Sequence, residues 1–259
     1  MDAGDAELAA DALWEAGAGA VSELAAGAGR VRLIAEVADR ERLAARWGAQ
    51  VIEPDQAADL DAWRAWARPQ RAGRRLLVQP AWLPLVDVDP ADVVVVLDPG
   101  RSFGSGSHAS TRLVLAALED ELRAGDTVLD VGCGSGVLAV AACLLGAGSA
   151  TAIDVDVDAI GVTHQNAIAN GVRSHIDAST RPVDEVPGRF DVVVANIGAR
   201  VLRSLADPIR DRLAPGGLLV LAGLLDAQVD EVVAAYPTCR EEDRRSLEGW
   251  GVARLRAIG

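Results

Sequence analysis

The sequence of 259 residues contains no lysine, so that all 25 of its basic residues are arginines. This absence excludes a Schiff-base lysine, the lysine of a phosphate-binding loop and a lysine general base. With 38 acidic residues, the chain carries a formal net charge of −13. Such a charge argues against a broad phosphate-binding surface, because nucleic-acid binding relies on clustered Lys and Arg. We therefore expect no direct nucleic-acid binding, and a basic protein as the favoured partner.

Cysteine and histidine are also scarce, with three residues of each: Cys133, Cys143, Cys239, His108, His164 and His175. The cysteines are odd in number and have no C-x-x-C spacing, and the histidines are not grouped in the sequence. The sequence therefore predicts neither a disulfide framework nor a metal site.

Long apolar runs are absent as well. No segment approaches the ~20 uncharged residues that a membrane span needs, and the first five residues lack the basic region of a signal peptide. Hydrophobic residues make up 50% of the chain and charged residues 24%, a composition typical of globular proteins. We expect a soluble, cytoplasmic and monomeric protein with no membrane partner.

Residues 1–56 predict a small α+β module with the element order α-β-β-α-β. The predicted elements are a helix at 7–16, strands at 20–24 and 30–37, a helix at 39–47 and a strand at 50–53. This order resembles a ferredoxin-like module that lacks its first strand. Residues 57–75 predict a helical linker, in which a helix at 57–67 precedes the arginine-rich segment 68–75.

Residues 76–259 predict an α/β domain, because strands and helices alternate along them. Strands are predicted at 76–79, 93–97, 127–131, 149–154, 191–196 and 218–222, and helices at 110–122, 137–145, 158–170, 200–213 and 226–235. This alternation favours a mainly parallel, doubly wound sheet with helices on both faces. Ligands of such sheets bind beyond the carboxyl ends of the strands.

A turn rich in glycine follows the predicted strand at 127–131. Gly132, Gly134 and Gly136 alternate with other residues, a helix begins at Val137, and Asp154 ends the next strand. Glycine permits positive φ and close approach of a ligand to the backbone, and the helix offers unpaired N–H groups to an acidic ligand group. A carboxylate at Asp154 can accept hydrogen bonds from two ribose hydroxyls. The arrangement predicts a nucleoside-containing cofactor, the alternative being a tight turn that binds nothing.

The glycine spacing indicates which cofactor this is. A dinucleotide fingerprint runs G-x-G-x-x-G, whereas the sequence from Asp130 to Gly136 runs D-x-G-x-G-x-G. That spacing resembles the first motif of class I S-adenosylmethionine-dependent methyltransferases. The resemblance implies a Rossmann-like sheet and S-adenosyl-L-methionine as cofactor.

The loop from Asp98 to Thr111 contains three glycines and four serines, and three of these serines precede the helix predicted at 110–122. Such a loop can close over a bound molecule, or it is a plain surface loop capped by Ser107 or Ser110. It closely resembles the D-P-G-x-A-F-G-T-G-x-H-x-T-T signature of the ribosomal protein L11 methyltransferases, the family often called PrmA. Further resemblance lies in Ala195-Asn196-Ile197, Pro215-Gly216-Gly217 and Gly223-Leu224-Leu225, and it extends over residues 76–236.

By this resemblance, the residues of the cofactor site are Thr111, Gly132, Gly134, Asp154 and Asn196. Thr111 would supply a hydroxyl hydrogen bond, and Asn196 would donate to and accept from the methionine end or the incoming nucleophile. Asn196 has the alternative of being a strand-end turn residue.

No catalytic residue is assigned, and the candidates are His108 and Asn196. His108 could accept a proton, or it could cap a helix or contact the substrate backbone. Phe103 could line the methyl-transfer pocket or anchor the loop.

The resemblance implies a protein N-methyltransferase that transfers methyl groups to lysine or N-terminal amines of ribosomal protein L11. It also implies that residues 1–56 recognise this substrate. Two alternatives stay open: a methyltransferase acting on another protein lysine or a small molecule, and a non-catalytic S-adenosylmethionine-binding module that interacts with the ribosome.

Overall fold

The computed structural model describes Ala9, Leu13 and residues 21–25, 31–35, 40–48, 67–85, 88–100, 102 and 104–258. The chain divides into two compact units, Met1–Asp61 and Ala62–Gly259. Among the described residues, no helix combines the length and the apolar character that crossing a membrane requires.

The first unit contains an antiparallel hairpin and a helix. Strands β1 (Val21–Ala25) and β2 (Val31–Ala35) pair with Val21 opposite Ala35, and helix α1 covers Arg40–Trp47. The predicted strand pair and second helix are confirmed, and Ala9 and Leu13 are helical within the predicted first helix. The strand predicted at 50–53 and residues 57–66 of the helix predicted at 57–67 lie outside the described residues, so the ferredoxin-like module stays a prediction.

The second unit is built on a seven-stranded sheet of order β11-β12-β10-β9-β6-β7-β8. Its strands are β6 (Thr127–Val131), β7 (Ser149–Ile153), β8 (Ile176–Ser179), β9 (Phe190–Asn196), β10 (Leu213–Leu225), β11 (Cys239–Leu247) and β12 (Trp250–Ala257). Strands β6 to β10 pair in parallel, whereas β12 pairs antiparallel with β10 and β11.

Helices cover both faces of this sheet. They are α2 (Ala109–Glu121), α3 (Val137–Leu144), α4 (Val157–Ala169), α5 (Ala199–Ser204), α6 (Ala206–Asp211) and α7 (Val229–Val233). Successive residues of a strand point to opposite faces. Val192 and Val194 therefore share one core with α2 to α4, while Val193 and Ala195 share the other core with α5 to α7. The predicted α/β class and doubly wound arrangement are confirmed.

Two of the strands predicted for the main sheet, those at 76–79 and 93–97, do not belong to it. Strands β3 (Gln70–Ala72), β4 (Leu76–Pro80) and β5 (Val93–Leu97) form a separate three-stranded sheet. Alternation along the sequence does not reveal which strands are neighbours. Within the predicted linker segment 68–75, Gly73, with φ of 75°, makes the turn that pairs β3 with β4.

Three strands of the main sheet are missing from the prediction, namely β8 and the C-terminal hairpin β11–β12. Strand β11 is an edge strand rich in Arg, Glu and Asp, and charged residues are a common protection of sheet edges. Such a strand has little of the apolar alternation by which strands are recognised. The sheet consequently ends in an antiparallel hairpin.

The helix predicted at 200–213 is two helices, α5 and α6, which are separated at Leu205. Pro208 has no N–H group to donate to the carbonyl one turn earlier, and its ring crowds that carbonyl. The helix is therefore interrupted one turn before Pro208, and Pro208 itself lies in the first turn of α6. The helix predicted at 226–235 begins as a 3-10 turn at Asp226–Gln228 and continues as α7.

Candidate cofactor-binding site

The glycine turn joins the carboxyl end of β6 to the first turn of α3. Gly132, Gly134 and Gly136 have φ angles of 77°, 52° and 76°, a region that side chains disfavour and glycine adopts freely. The backbone N–H groups of Gly132 and Cys133 both donate to the carbonyl of Ile153, at 2.8 Å and 3.0 Å. The turn is therefore fixed against the end of β7.

Gly132 is required for a second reason, which is the close approach of the next parallel strand. A Cβ atom at this position would lie 2.3 Å from Cγ2 of Ile197, immediately after β9. The strand end that carries Asn196 can therefore reach the turn only because residue 132 has no side chain.

Asp154 lies directly beside the glycine turn. Its Oδ2 accepts a hydrogen bond from the N–H of Gly134 at 2.8 Å, and its Oδ1 accepts from the N–H of Asp156 at 3.0 Å. A carboxylate can accept about four hydrogen bonds, so two hydroxyl donors can still be accommodated. Val155, the next residue, exposes 100% of its surface. The carboxylate of Asp154 and the exposed apolar side chain of Val155 are thus adjacent in the chain.

Thr111 and Asn196 come from distant elements and meet at one point. The side-chain amide of Asn196 donates to Oγ1 of Thr111 over 3.2 Å. Thr111 is buried in the first turn of α2, and Asn196 is the last residue of β9, which pairs with β6. The structure therefore brings together two residues that are 85 positions apart in the sequence.

His108 caps helix α2. Its Nδ1 lies 2.8 Å from Oγ of Ser110 and accepts from the N–H of Ser110 at 3.4 Å. The imidazole also packs edge-to-face on Trp250, with ring centroids 4.5 Å apart. Although His108 retains surface exposure, partial burial lowers the pKa of its imidazole, and the carboxylate of Glu248 acts in the opposite direction. This geometry favours the capping role of His108 over the role of a base. Phe103, the other loop residue considered for the pocket, lies outside the described residues.

Asp130, the acidic residue that opens the glycine motif, is completely buried. Its Oδ2 accepts a hydrogen bond from the N–H of Ala139 at 3.2 Å, and its Oδ1 has no partner among the residues described. Burial raises the pKa of this carboxyl to about 7, and the nearby Asp154 acts in the same direction. Asp130 is therefore a second carboxyl at the turn, with an ionisation unlike that of a surface aspartate.

Cys133, the cysteine of the turn, is buried. Burial raises the pKa of the Cys133 thiol, and its Sγ lies 3.5 Å from the hydroxyl of Thr163. Within the part of the chain that the structure describes, no three His, Cys, Asp or Glu residues form a group that could hold a metal ion.

Three further residues organise the site and were missed by sequence reasoning. Oγ of Ser135 donates to the carbonyl of Gly104 at 2.6 Å. From helix α4, Thr163 donates to the carbonyl of Gly134 at 3.0 Å and Asn166 donates to the carbonyl of Ser135 at 2.9 Å. Ser, Thr and Asn are common in helices and turns, so their bonds to distant backbone leave little signal in a single sequence.

Comparison with known proteins gives consistent matches. The model of the ribosomal protein L11 methyltransferase (PrmA) family matches residues 6–253. A ribosomal protein L11 methyltransferase of Geobacter metallireducens is 44% identical over 174 residues, which are 67% of this chain and 57% of that protein. One of Pelotomaculum thermopropionicum is 46% identical over 186 residues, 71% of this chain and 59% of that protein. The chain thus spans less than two thirds of the length of these relatives.

A solved structure agrees with this result. The ribosomal protein L11 methylase of Lactobacillus delbrueckii subsp. bulgaricus has 27% sequence identity and a TM-score of 0.69, covering 75% of this chain and 100% of its own. The predicted class I, Rossmann-like fold is confirmed by this match.

Proposed function

Because the chain belongs to the ribosomal protein L11 methyltransferase (PrmA) family, we propose that it is an S-adenosylmethionine-dependent protein N-methyltransferase that acts on ribosomal protein L11. The acceptors are lysine amines or the N-terminal amine. The observation that carries the proposal is the meeting of Thr111 and Asn196 beyond the same strand ends that hold the glycine turn and Asp154.

The residues present suit S-adenosylmethionine. The carboxylate of Asp154 would hold the ribose hydroxyls, and the exposed Val155 offers an apolar surface to the adenine. The glycine turn leaves space for the cofactor beside the backbone, and the N-terminus of α3 provides a positive dipole end for the carboxylate of the methionine part. When bound, the cofactor supplies a methyl group on a positively charged sulfur. Gly132 and Gly134 complete this proposed set of contacts.

The protein's own residues would orient the acceptor amine and keep it neutral. A free lysine amine has a pKa of about 10.4 and is mostly protonated at neutral pH, but removal from water favours its neutral form. The amide oxygen of Asn196 can accept an N–H of that amine, because its amide nitrogen is already engaged with Thr111. Alignment and exclusion of water, more than acid–base chemistry, would then accelerate the transfer.

The charge of the chain fits a basic substrate. A protein of net charge −13 attracts a basic partner and is repelled by nucleic acid. We propose that the N-terminal unit recognises the substrate, that the enzyme works as a cytoplasmic monomer and that it does not bind nucleic acid directly.

The proposed function is tested with purified enzyme, isotope-labelled S-adenosylmethionine and purified ribosomal protein L11. We expect methyl groups on L11 amines, located by mass spectrometry of peptides. Absence of label on L11 would show that L11 is not the substrate. Label on another protein or on a small molecule would support the alternative that the enzyme methylates that molecule. Cofactor binding without turnover on any ribosomal component would indicate a non-catalytic binding module.

The cofactor site is tested with Asp154→Ala, for which Asp156→Ala is the matched control. Asp154 contacts the glycine turn, whereas Asp156 caps helix α4 through the N–H of Asp158 at 2.9 Å. We expect Asp154→Ala to weaken cofactor binding by roughly a hundredfold, since two charge-assisted hydrogen bonds would be lost. Asp156→Ala should cost about 1 kcal/mol of stability and leave the affinity nearly unchanged. Equal affinities in isothermal titration calorimetry would contradict the assignment of Asp154.

A further inference from the structure

Helix α4 and its C-cap residue, Asn170, place three polar side chains on one face, toward the interior. Thr163, Asn166 and Asn170 are three and four positions apart, a spacing that puts them in a row. Thr163 exposes 0% of its surface and Asn166 exposes 2%. Buried polar groups are costly unless they are hydrogen-bonded, so the partners of this row indicate why it is there.

The two asparagines pair with the backbone of strand β5 and its continuation. Asn170 accepts from the N–H of Val96 at 2.8 Å and donates to its carbonyl at 2.7 Å. Asn166 accepts from the N–H of Asp98 and donates to its carbonyl, both at 3.0 Å. Alternate residues of an extended chain direct their backbone groups to the same side. The two side-chain amides therefore take the place of a neighbouring strand along Val96 to Asp98.

Asn166 and Asn170 differ in the acceptor of their remaining side-chain N–H group. In Asn170 this group donates to the carbonyl of Asn166, within the same helix, at 2.8 Å. In Asn166 it donates to the carbonyl of Ser135 in the glycine turn, at 2.9 Å. One buried amide thus joins the turn to Asp98, where the loop that ends at Thr111 begins.

We propose that Asn166 is a positioning residue of the cofactor site, which holds the glycine turn and the start of the 98–111 loop in one fixed geometry. The inference rests on the proposed cofactor. Asn166 acts through the carbonyl of Ser135 and the backbone of Asp98. Its role is to set the direction of the backbone groups of the turn before the cofactor arrives.

A second connection explains why this geometry extends into the loop. Oγ of Ser135 donates to the carbonyl of Gly104 at 2.6 Å and accepts from the N–H of Val137 at 3.3 Å. Gly104 has φ of 93°, and a Cβ there would lie 2.8 Å from that Oγ atom. The loop is therefore attached to the turn at Asp98 through Asn166 and at Gly104 through Ser135. A displacement of Ser135 would move both attachments together.

The inference is tested with Asn166→Ala and the matched control Asn170→Ala. Each substitution removes one amide with three hydrogen bonds, two of them to β5 or its continuation. We expect similar decreases in melting temperature. Only Asn166→Ala should weaken S-adenosylmethionine binding, by about tenfold in calorimetry, which is the effect of roughly one buried hydrogen bond. The control should stay within about twofold of wild type.

Hydrogen exchange of the free protein gives a readout that does not depend on the cofactor. In Asn166→Ala, exchange should accelerate both at residues 98–100 and at residues 134–137, whereas in Asn170→Ala the acceleration should be confined to β5 and its surroundings. If Asn166→Ala fails to fold, Thr163→Val replaces it, because this nearly isosteric change removes the bond to the carbonyl of Gly134 and the contact with the Cys133 thiol, on the same side of the turn.

The outcomes separate this inference from the proposed function. If the wild-type protein binds no S-adenosylmethionine, the proposed function fails, and the exchange comparison alone decides the role of Asn166. If the wild type binds the cofactor and the Asn166 and Asn170 variants lose affinity equally, Asn166 is merely structural and the inference is overturned.

Discussion

At the scale of single residues, the ionisation of Asp130 links stability to pH. Its carboxyl is fully buried and has a pKa of about 7, against an ordinary value of 3.8. Between these values the folded state keeps a proton that the unfolded state releases. The free energy of unfolding must therefore fall as pH rises through this window, and the loss is complete above about pH 7.

Asp130→Asn tests this prediction, because asparagine does not ionise and its amide oxygen can still accept from Ala139. Between about pH 5.5 and pH 8, we expect the wild type to lose roughly 2 kcal/mol of unfolding free energy relative to the variant. Urea denaturation at several pH values measures the difference.

Asp191→Asn serves as the control for this experiment. Hydrogen bonds from the N–H and hydroxyl of Thr127 lower the pKa of the Asp191 carboxyl. A lowered pKa stabilises the fold above the ordinary value, and this contribution is lost only as pH falls below it. The difference between Asp191→Asn and wild type should therefore be constant from pH 5.5 to pH 8. Parallel curves for Asp130→Asn as well would show that Asp130 titrates normally.

The sequence predicts residues well when their role depends on local chemistry. Gly132, Gly134 and Asp154 stand at strand ends where positive φ or a carboxylate is needed, and the structure brings them together. Asn166 could not be predicted in this way. Its partners, Asp98 and Ser135, are 68 and 31 positions away, and only the packing of α4 creates these contacts.

At the scale of elements, the C-terminal hairpin completes the surroundings of helix α2. Its turn brings Trp250 against His108 and Glu248 to within 3.3 Å of Arg112 in the first turns of that helix. Glu248 has φ of 55°, the one positive value at a non-glycine residue in the described part of the chain. The hairpin, which has no place in the predicted topology, thus packs against the helix that carries Thr111.

This contact predicts opposite effects of two substitutions on His108. Burial lowers the pKa of the imidazole, and the carboxylate of Glu248 raises it. Trp250→Leu should expose the ring and raise the pKa, whereas Glu248→Gln should lower it further. NMR titration of the histidine ring protons measures both, with His164 and His175 as internal references. A shift in the same direction for both variants would contradict the described contact.

The sequence predicts the buried strands accurately and misses the exposed edge strand β11. Strands β6, β7 and β9 are predicted within one residue of their bounds, since they are central and rich in apolar side chains. Strand β11 carries charges because it lies at the edge. The assignment of β4 and β5 to the main sheet fails for another reason, since strand pairing is decided by long-range packing.

At the scale of the whole molecule, fold and cofactor follow from the second unit, but the substrate depends on a surface property as well. Ion pairs such as Arg254 with Glu121 and Arg245 with Asp120 neutralise part of the charge around the hairpin. The chain nevertheless keeps a net charge of −13. If the substrate is the basic ribosomal protein proposed above, attraction to this charge should accelerate their association.

The final prediction is therefore that salt affects KM for the protein substrate but not the affinity for the cofactor. Raising the salt concentration from 50 mM to 500 mM shortens the Debye length from about 14 Å to about 4 Å and screens attraction between the two surfaces. We expect KM for ribosomal protein L11 to rise by about tenfold, with kcat nearly constant because the alignment proposed for Asn196 is local. The calorimetric affinity for S-adenosylmethionine is the control and should change far less. A KM for L11 that is independent of salt would show that charge does not contribute to recognition, and recognition would then rest on shape and apolar contacts.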